Sequence, residues 1–375
     1  MVIRYAVSIC WPLAGHKERN WALITFLVSD LNRNPLRKLI RRAGRRLPPM
    51  RTLTYQTAFR RLRVPDGTLV FTDFDLLTDF EMDAAGQIAI AADRAGDRVR
   101  TLNSPSRSLE RAAMHRHLHA SRLNAVQVTR VADEMPTTYP VFIRLQGGCE
   151  SPDTGLLHDE TEYRRACDAL LAAGRPLRGR IAVSYEAEPD ASGNFRKYGA
   201  FRIGDHIIPQ HILRRRDWYV KRSNQDHGND FRREEIDYIR NNPHRDRLMA
   251  LFQAAGHEFG RMDYTIRGDE IVVFEINSNP SFPDLSKGWR KGSERHALLH
   301  DLLQPAFESI SHGDGRGHVS FALNAAIGHN ISRRRWNPIA RQLWRLRLTR
   351  KSERGIVWPS PQTDPSTPDR EEPRR

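Results

Sequence analysis

The residues best suited to chemistry lie in three short stretches: Gly260-Arg-Met-Asp-Tyr264, Val272-Val-Phe-Glu-Ile-Asn277 and Asn279-Pro-Ser281. Alternation along an extended strand puts Glu275 and Asn277 on one face. A hairpin turning near residues 267–270 can bring Asp263 alongside them. Two carboxylates and an amide oxygen are hard ligands of the kind Mg²⁺ takes. That ion keeps several waters and shares the phosphate oxygens of a nucleotide, so three protein ligands suffice. The neighbours Val272, Val273, Phe274 and Ile276 are apolar and bury the polar pair. Buried groups of this kind need a metal or polar partners. The plain alternative is a core hairpin that carries a chance Glu and Asn.

Such a hairpin needs a scaffold, and the chain supplies alternating strand and helix patterns. Residues 68–72 form a β-rich run ending at Asp73, residues 84–95 an Ala-rich helix, and residues 99–102 the next strand. Helices are expected at 107–122, 159–173, 246–259 and 296–309. Strands are expected at 126–131, 140–144 and 181–185. The runs 198–203 and 206–212 flank Gly204-Asp205, a two-residue hairpin turn. Residues 145–155 read as a polar, Gly-bearing loop. The end, 359–375, is rich in Pro, Ser, Thr and charge and is expected to be disordered.

Other constellations compete. Asp73 and Asp75 after a strand resemble the Asp-x-Asp of haloacid-dehalogenase phosphatases or glycosyltransferases, although Leu77 stands where the phosphatases have Thr or Val. The run Asp73, Asp75, Asp79, Asp83 also reads as a strand end followed by a capped helix start. His115 and His119 share a helix face, as in metal sites, but no companion carboxylate motif accompanies them, which favours a solvated face. Residues 331–351 carry eight Arg or Lys and no acid, with Trp336, Ile339 and Leu343 at helical spacing. That stretch suits an anionic membrane, RNA, or the protein's own body.

Composition sets wide bounds. The 375 residues leave room for two or three domains, and 39% are hydrophobic. With 60 Lys+Arg against 45 Asp+Glu, the balance favours anionic partners without choosing among them. The three cysteines, Cys10, Cys149 and Cys167, have no ligand-like spacing, which fits a reducing cytoplasm. Residues 1–13 read as a strand or loop and not as a signal peptide.

An Asp, about a dozen residues, then Glu-Ile-Asn and a following Pro resembles the metal-binding end of ATP-grasp enzymes. The resemblance spans roughly 104–312 and extends to the order of parts: basic helix, strand, basic residue, Gly-rich loop, hinge strand, hairpin, metal hairpin. It implies an α/β chain in which two α+β subdomains clamp ATP, preceded by an N-terminal α/β pre-grasp unit at 1–103 and followed by a basic helix and tail at 313–375. It also implies roles. Asp263, Glu275 and Asn277 hold Mg²⁺, or Mn²⁺ in its place. Arg261 contacts phosphate or the developing oxyanion. Arg144 and Arg111 stand where the family usually has phosphate-binding lysines, and the guanidinium keeps that role chemically. Gly147, Gly148 and Ser151 match the loop that closes over the phosphates. Residues 183–188, with Val183, Tyr185, Glu186 and Glu188, match the hinge that reads adenine through backbone groups. Lys221 is a further phosphate candidate, with a solvated surface lysine as its plain reading. Ser281 lies where substrate often binds. The implied activity is ligation of a small-molecule carboxylate to an amine, or to a thiol. A kinase acting on a hydroxyl would need the same contacts. A basic nucleic-acid- or membrane-binding protein with a decayed nucleotide site is the reading from another class, against which the intact Asp263, Glu275 and Asn277 argue.

Overall fold

The computed structural model describes residues 22–43, 47–147, 151–220, 229–283, 294–313 and 315–333. Its N-terminal unit opens on β1 (Ile24–Val28), whose five residues are all buried. A run buried on both faces is what a central parallel strand requires. The chain continues through α1 (Asn34–Ala43), β2 (Met50–Thr54), α2 (Tyr55–Arg61), β3 (Arg63–Pro65), β4 (Gly67–Phe71), α3 (Asp79–Arg94) and β5 (Val99–Leu102). The parallel sheet has the order β2-β1-β4-β5. Thr54 caps α2 by accepting from the Thr57 N–H. At the start of α3 the Glu81 carboxylate accepts from the Thr78 N–H at 3.0 Å, the reciprocal half of a capping box.

A three-stranded antiparallel sheet follows. It has the order β6-β8-β7, with α4 (Arg111–Ala120), β6 (Val128–Arg130), β7 (Val141–Leu145), α5 (Glu160–Ala172) and β8 (Arg180–Ser184) in chain order. The second antiparallel sheet holds β9 (Phe195–Ile203), β10 (His206–Arg215), β11 (Phe259–Arg267) and β12 (Glu270–Asn277), in the order β10-β9-β11-β12. Two helices, α6 (Asn229–Asn241) and α7 (Arg245–Ala254), separate its hairpins. The helix expected over 246–259 stops at Ala254. Gly256 turns the chain at φ +71°, and a Cβ there would lie 2.0 Å from the Arg107 carbonyl oxygen, so only glycine fits. Phe259 then opens β11.

The core welds the second antiparallel sheet to the N-terminal sheet. Phe26 of β1 meets Phe259 of β11 with ring centroids 5.3 Å apart, and Phe201 stacks on Phe282 at 4.5 Å. Helix α8 (Glu294–Ile310) closes this cluster with Leu299, Leu303 and Phe307. The sequence reading grouped 313–333 with the basic tail. Here β13 (His318–Ser320) pairs with β3, and α9 (Ala325–Arg333) lies on α3, so that Val319, Phe321 and Ile327 fill the N-terminal core. The rest of the basic stretch, 334–351, and the tail to 375 lie outside the described residues.

Phe321→Ala should therefore lower unfolding free energy by about 3–5 kcal/mol, the usual cost of emptying a buried aromatic site. Urea titration followed by circular dichroism measures it. A loss under 1 kcal/mol would mean that this segment is not part of the core.

Candidate nucleotide and metal site

The hairpin of β11 and β12 registers Arg261 with Asn277 and Asp263 with Glu275, while Asp263 also faces Gly199 of β9. The register slips next, since Tyr264 pairs with Val273 and Phe274 is the extra residue of a β-bulge. Helix α4 and its following loop hold that bulge. The His115 Nε2–H donates to the Phe274 carbonyl at 3.0 Å, and Asn124 bonds both the N–H and the carbonyl of Val273. Burial pushes the His115 ring down to about 4, so it is neutral at pH 7. The histidine-bearing helix is thus neither a metal site nor a wholly solvated face. His115 is buried and sets the strand, while His117 and His119 are exposed.

The facing polar residues are internally balanced. Asp263 is 2% exposed and accepts from Arg261 Nε at 2.7 Å and from Lys197 Nζ at 3.0 Å. Glu275 Oε2 lies 2.9 Å from the Arg111 guanidinium and 3.6 Å from that of Arg144. Burial pushes both carboxyls up, but these cations outweigh it and hold both below their ordinary range. Arg111 also donates to the Gln146 carbonyl at 2.7 Å, which fixes the entrance of the Gly-bearing loop. Asn277 Oδ1 accepts from the Asn279 N–H at 2.9 Å and keeps a second lone pair.

These groups line one end of a cleft of about 270 Å³ between the two antiparallel sheets. Its other end is apolar, built from Val126, Phe142, Val183, Trp218, Val220 and Phe274. The Trp218 ring lies 5.3 Å from Phe142 and 5.3 Å, edge-on, from Tyr185, whose hydroxyl donates to the Trp218 carbonyl at 2.9 Å. The Tyr185 N–H is already given to Pro140.

The cleft thus gathers Arg111, Arg144, Val183, Tyr185, Arg261, Asp263, Glu275 and Asn277. Other expected residues stand elsewhere. Glu186 pairs with Arg267, and Glu188 lines a separate depression beside Arg267 and Gly268. Ser281 is exposed, and its carbonyl accepts from Gln210 Nε2 at 3.3 Å. Gly147 packs on the backbone of Asp75, where a Cβ would meet the carbonyl at 2.8 Å. Ser151 lies within the loop and is half-buried, and Gly148, Cys149 and Lys221 lie outside the described residues. Sequence reasoning missed Lys197, Phe142 and Trp218. Lys197 sits two residues before Gly199 on β9 and so shares its face, a signal that needs the pairing of β9 with β11 to be read.

Asp73 also changes meaning. It ends β4 at φ +60°, and its carboxylate accepts from the Ser29 N–H at 2.9 Å, Asn32 Nδ2 at 2.7 Å and Asn279 Nδ2 at 2.9 Å. Its own N–H donates to Ser278 Oγ at 2.9 Å. Burial pushes its carboxyl up to about 6 against the pull of those donors. This residue ties the loop after β12 to the ends of β1 and β4, and is no phosphatase nucleophile. Asp75 stands 4.0 Å from Arg111.

No protein-family model and no curated protein sequence matches the chain. Solved structures do. The D-alanine–D-alanine ligase of Bacillus anthracis, complexed with ATP, is similar at a TM-score of 0.43 and 8% identity, over 77% of this chain and 98% of that one. A RimK domain ATP-grasp protein of Sphaerobacter thermophilus reaches 0.42 at 14% identity, over 75% and 99%. An L-amino acid ligase of Bacillus licheniformis reaches 0.37 at 12%, over 76% and 73%. The site assignment rests on the chain's own contacts.

Asp73→Asn should loosen the Ser278–Asn279 tie. Either orientation of the new amide sets its NH₂ group against an N–H donor, at a cost of about 1–3 kcal/mol. Chemical denaturation measures the loss, and an unchanged midpoint would refute the assigned role.

Proposed function

We propose that this chain is a Mg·ATP-dependent ligase that activates a carboxylate as an acyl phosphate for attack by an amine. One observation carries the reading: a single cleft joins an apolar, aromatic slot to a cationic end with facing carboxylates. The slot suits a purine, and the polar end suits a polyphosphate. Four cations, Arg111, Arg144, Lys197 and Arg261, surround Asp263 and Glu275 and leave positive charge for an anion.

The donor set fits a hard divalent ion. Oxygens of Asp263, Glu275 and Asn277 come from facing positions of one hairpin, and no sulfur or imidazole lies among them. These three residues would hold Mg²⁺, which when bound would supply positive charge to neutralise the group in transfer. The protein's own share is positioning and electrostatics. Arg144, beside Glu275, and Arg111, held between Glu275 and the loop at Gln146, present guanidinium forks to the phosphates. Arg261, anchored on Asp263, faces the reacting end. The two sheets close over the slot and exclude water, which protects an acyl phosphate from hydrolysis. The arriving amine attacks the acyl carbon, phosphate leaves with the bonding electrons, and the amine proton passes to solvent or to that phosphate.

The direct test is ADP and phosphate release over pools of amino and hydroxy acids, with mass analysis of products. An amide product, lost in Glu275→Gln, is expected. A phosphorylated alcohol as the sole product would make the enzyme a kinase, and no turnover with any pool would sink the ligase reading.

Arg144→Ala should weaken ATP binding by about 10- to 100-fold, the range of a lost charge-assisted contact. Arg144→Lys should lose less, since a point charge survives. Calorimetric titration with ATP reads both. Equal affinity in all three proteins would move the phosphate site elsewhere.

A further inference from the structure

Three of the four carboxylate oxygens offered to a metal are engaged by cations. Asp263 Oδ1 accepts from Arg261 Nε at 2.7 Å, and Oδ2 accepts from Lys197 Nζ at 3.0 Å and, at a longer 3.4 Å, from Arg261 Nη2. Glu275 Oε2 is held by Arg111 and Arg144. A divalent ion arriving alone would meet four cations and carboxylates already paired. Coulomb repulsion among partly buried charges is screened far less than at a surface.

Among these cations Lys197 differs in kind. The three arginines are planar forks that need several partners at once, whereas Lys197 carries a compact charge on a flexible stem. Its side chain is 20% exposed and stands at the cleft, reaching from β9 to Asp263 on β11. It can leave Asp263 for a phosphate oxygen with only rotamer changes. Arg261 cannot so easily, because it shares a strand with Asp263 and bonds it through Nε.

Resting on the ligase reading, we propose that Lys197 is a displaceable counter-ion on Asp263 that keeps the metal site closed until a triphosphate arrives. The nucleotide draws the ammonium away, removes the closer of the two donors on Oδ2 so that the metal can reach it, and supplies the negative charge that the metal needs. Metal uptake then becomes conditional on nucleotide. The free protein stays empty of divalent ions, and Lys197 changes role from lock to phosphate ligand within one binding event.

Binding of Mn²⁺ alone, followed by electron paramagnetic resonance of the free ion, tests this without turnover. Wild type should bind Mn²⁺ weakly without nucleotide and tightly with a non-hydrolysable ATP analogue. Lys197→Met, of similar length but neutral, should bind Mn²⁺ alone about tenfold or more tightly than wild type. Lys197→Arg, which keeps the charge, should stay closed. Thermal melts confirm that the variants fold. If Lys197→Met binds free Mn²⁺ no better than wild type while the analogue still recruits the ion, the counter-ion role is overturned and the ATP site stands. If no protein binds Mn²⁺ even with the analogue, the nucleotide-and-metal reading fails with it.

Discussion

The structure turns on two carboxylates, buried Asp263 and partly buried Glu275, set face to face on one hairpin. Each would be costly to bury alone. Lys197, Arg261, Arg111 and Arg144 make their charge tolerable, and each comes from a different part of the chain: β9, β11, α4 and β7. The pair thereby dictates that α4 and both antiparallel sheets converge on one point. Three supports follow from it. The bulge at Phe274 lets Glu275 pair with Asp263 while Val273 pairs with Tyr264. His115 and Asn124 pin that bulge, and Asp73 fastens the loop just beyond.

The cleft divides labour between its ends. The apolar end depends on ring contacts among Phe142, Trp218 and Tyr185, which carry no net charge and tolerate a flat, neutral guest. The polar end depends on paired charges. The Gly-bearing loop begins where Arg111 grips Gln146, so any movement of that guanidinium towards a ligand is felt at the loop's root.

Much of this was legible in the sequence. The spacing of Asp263, Glu275 and Asn277 in an apolar run identified the hairpin and its polar face, and Gly204-Asp205 marked its neighbour. Arg144 and Arg111 came from the order of parts. What stayed hidden is what needs strand order or long-range pairing. Lys197 looks like any strand lysine until β9 is laid beside β11. Trp218 reaches the slot only through the fold. The apolar run of β1 had no alternation to announce it, being buried on both faces. His115 resembled its neighbours His117 and His119 until the Phe274 carbonyl appeared beside it. Asp73 had the look of a catalytic Asp-x-Asp because a strand end with a carboxylate is also how a loop tie is made.

The pairing of β13 with β3 has a consequence for how the molecule is made. Gly317 and Asp66, hydrogen-bonded across that junction, lie 251 residues apart in the chain. The N-terminal unit is therefore discontinuous, and its core lacks Val319, Phe321 and Ile327 until both antiparallel sheets have emerged from the ribosome. Closing so large a loop comes late in folding, because its entropy must be lost before its contacts form. Until then β3 presents an unpaired edge to whatever strand it meets. The two antiparallel sheets must consequently form while their partner layer is still unfinished.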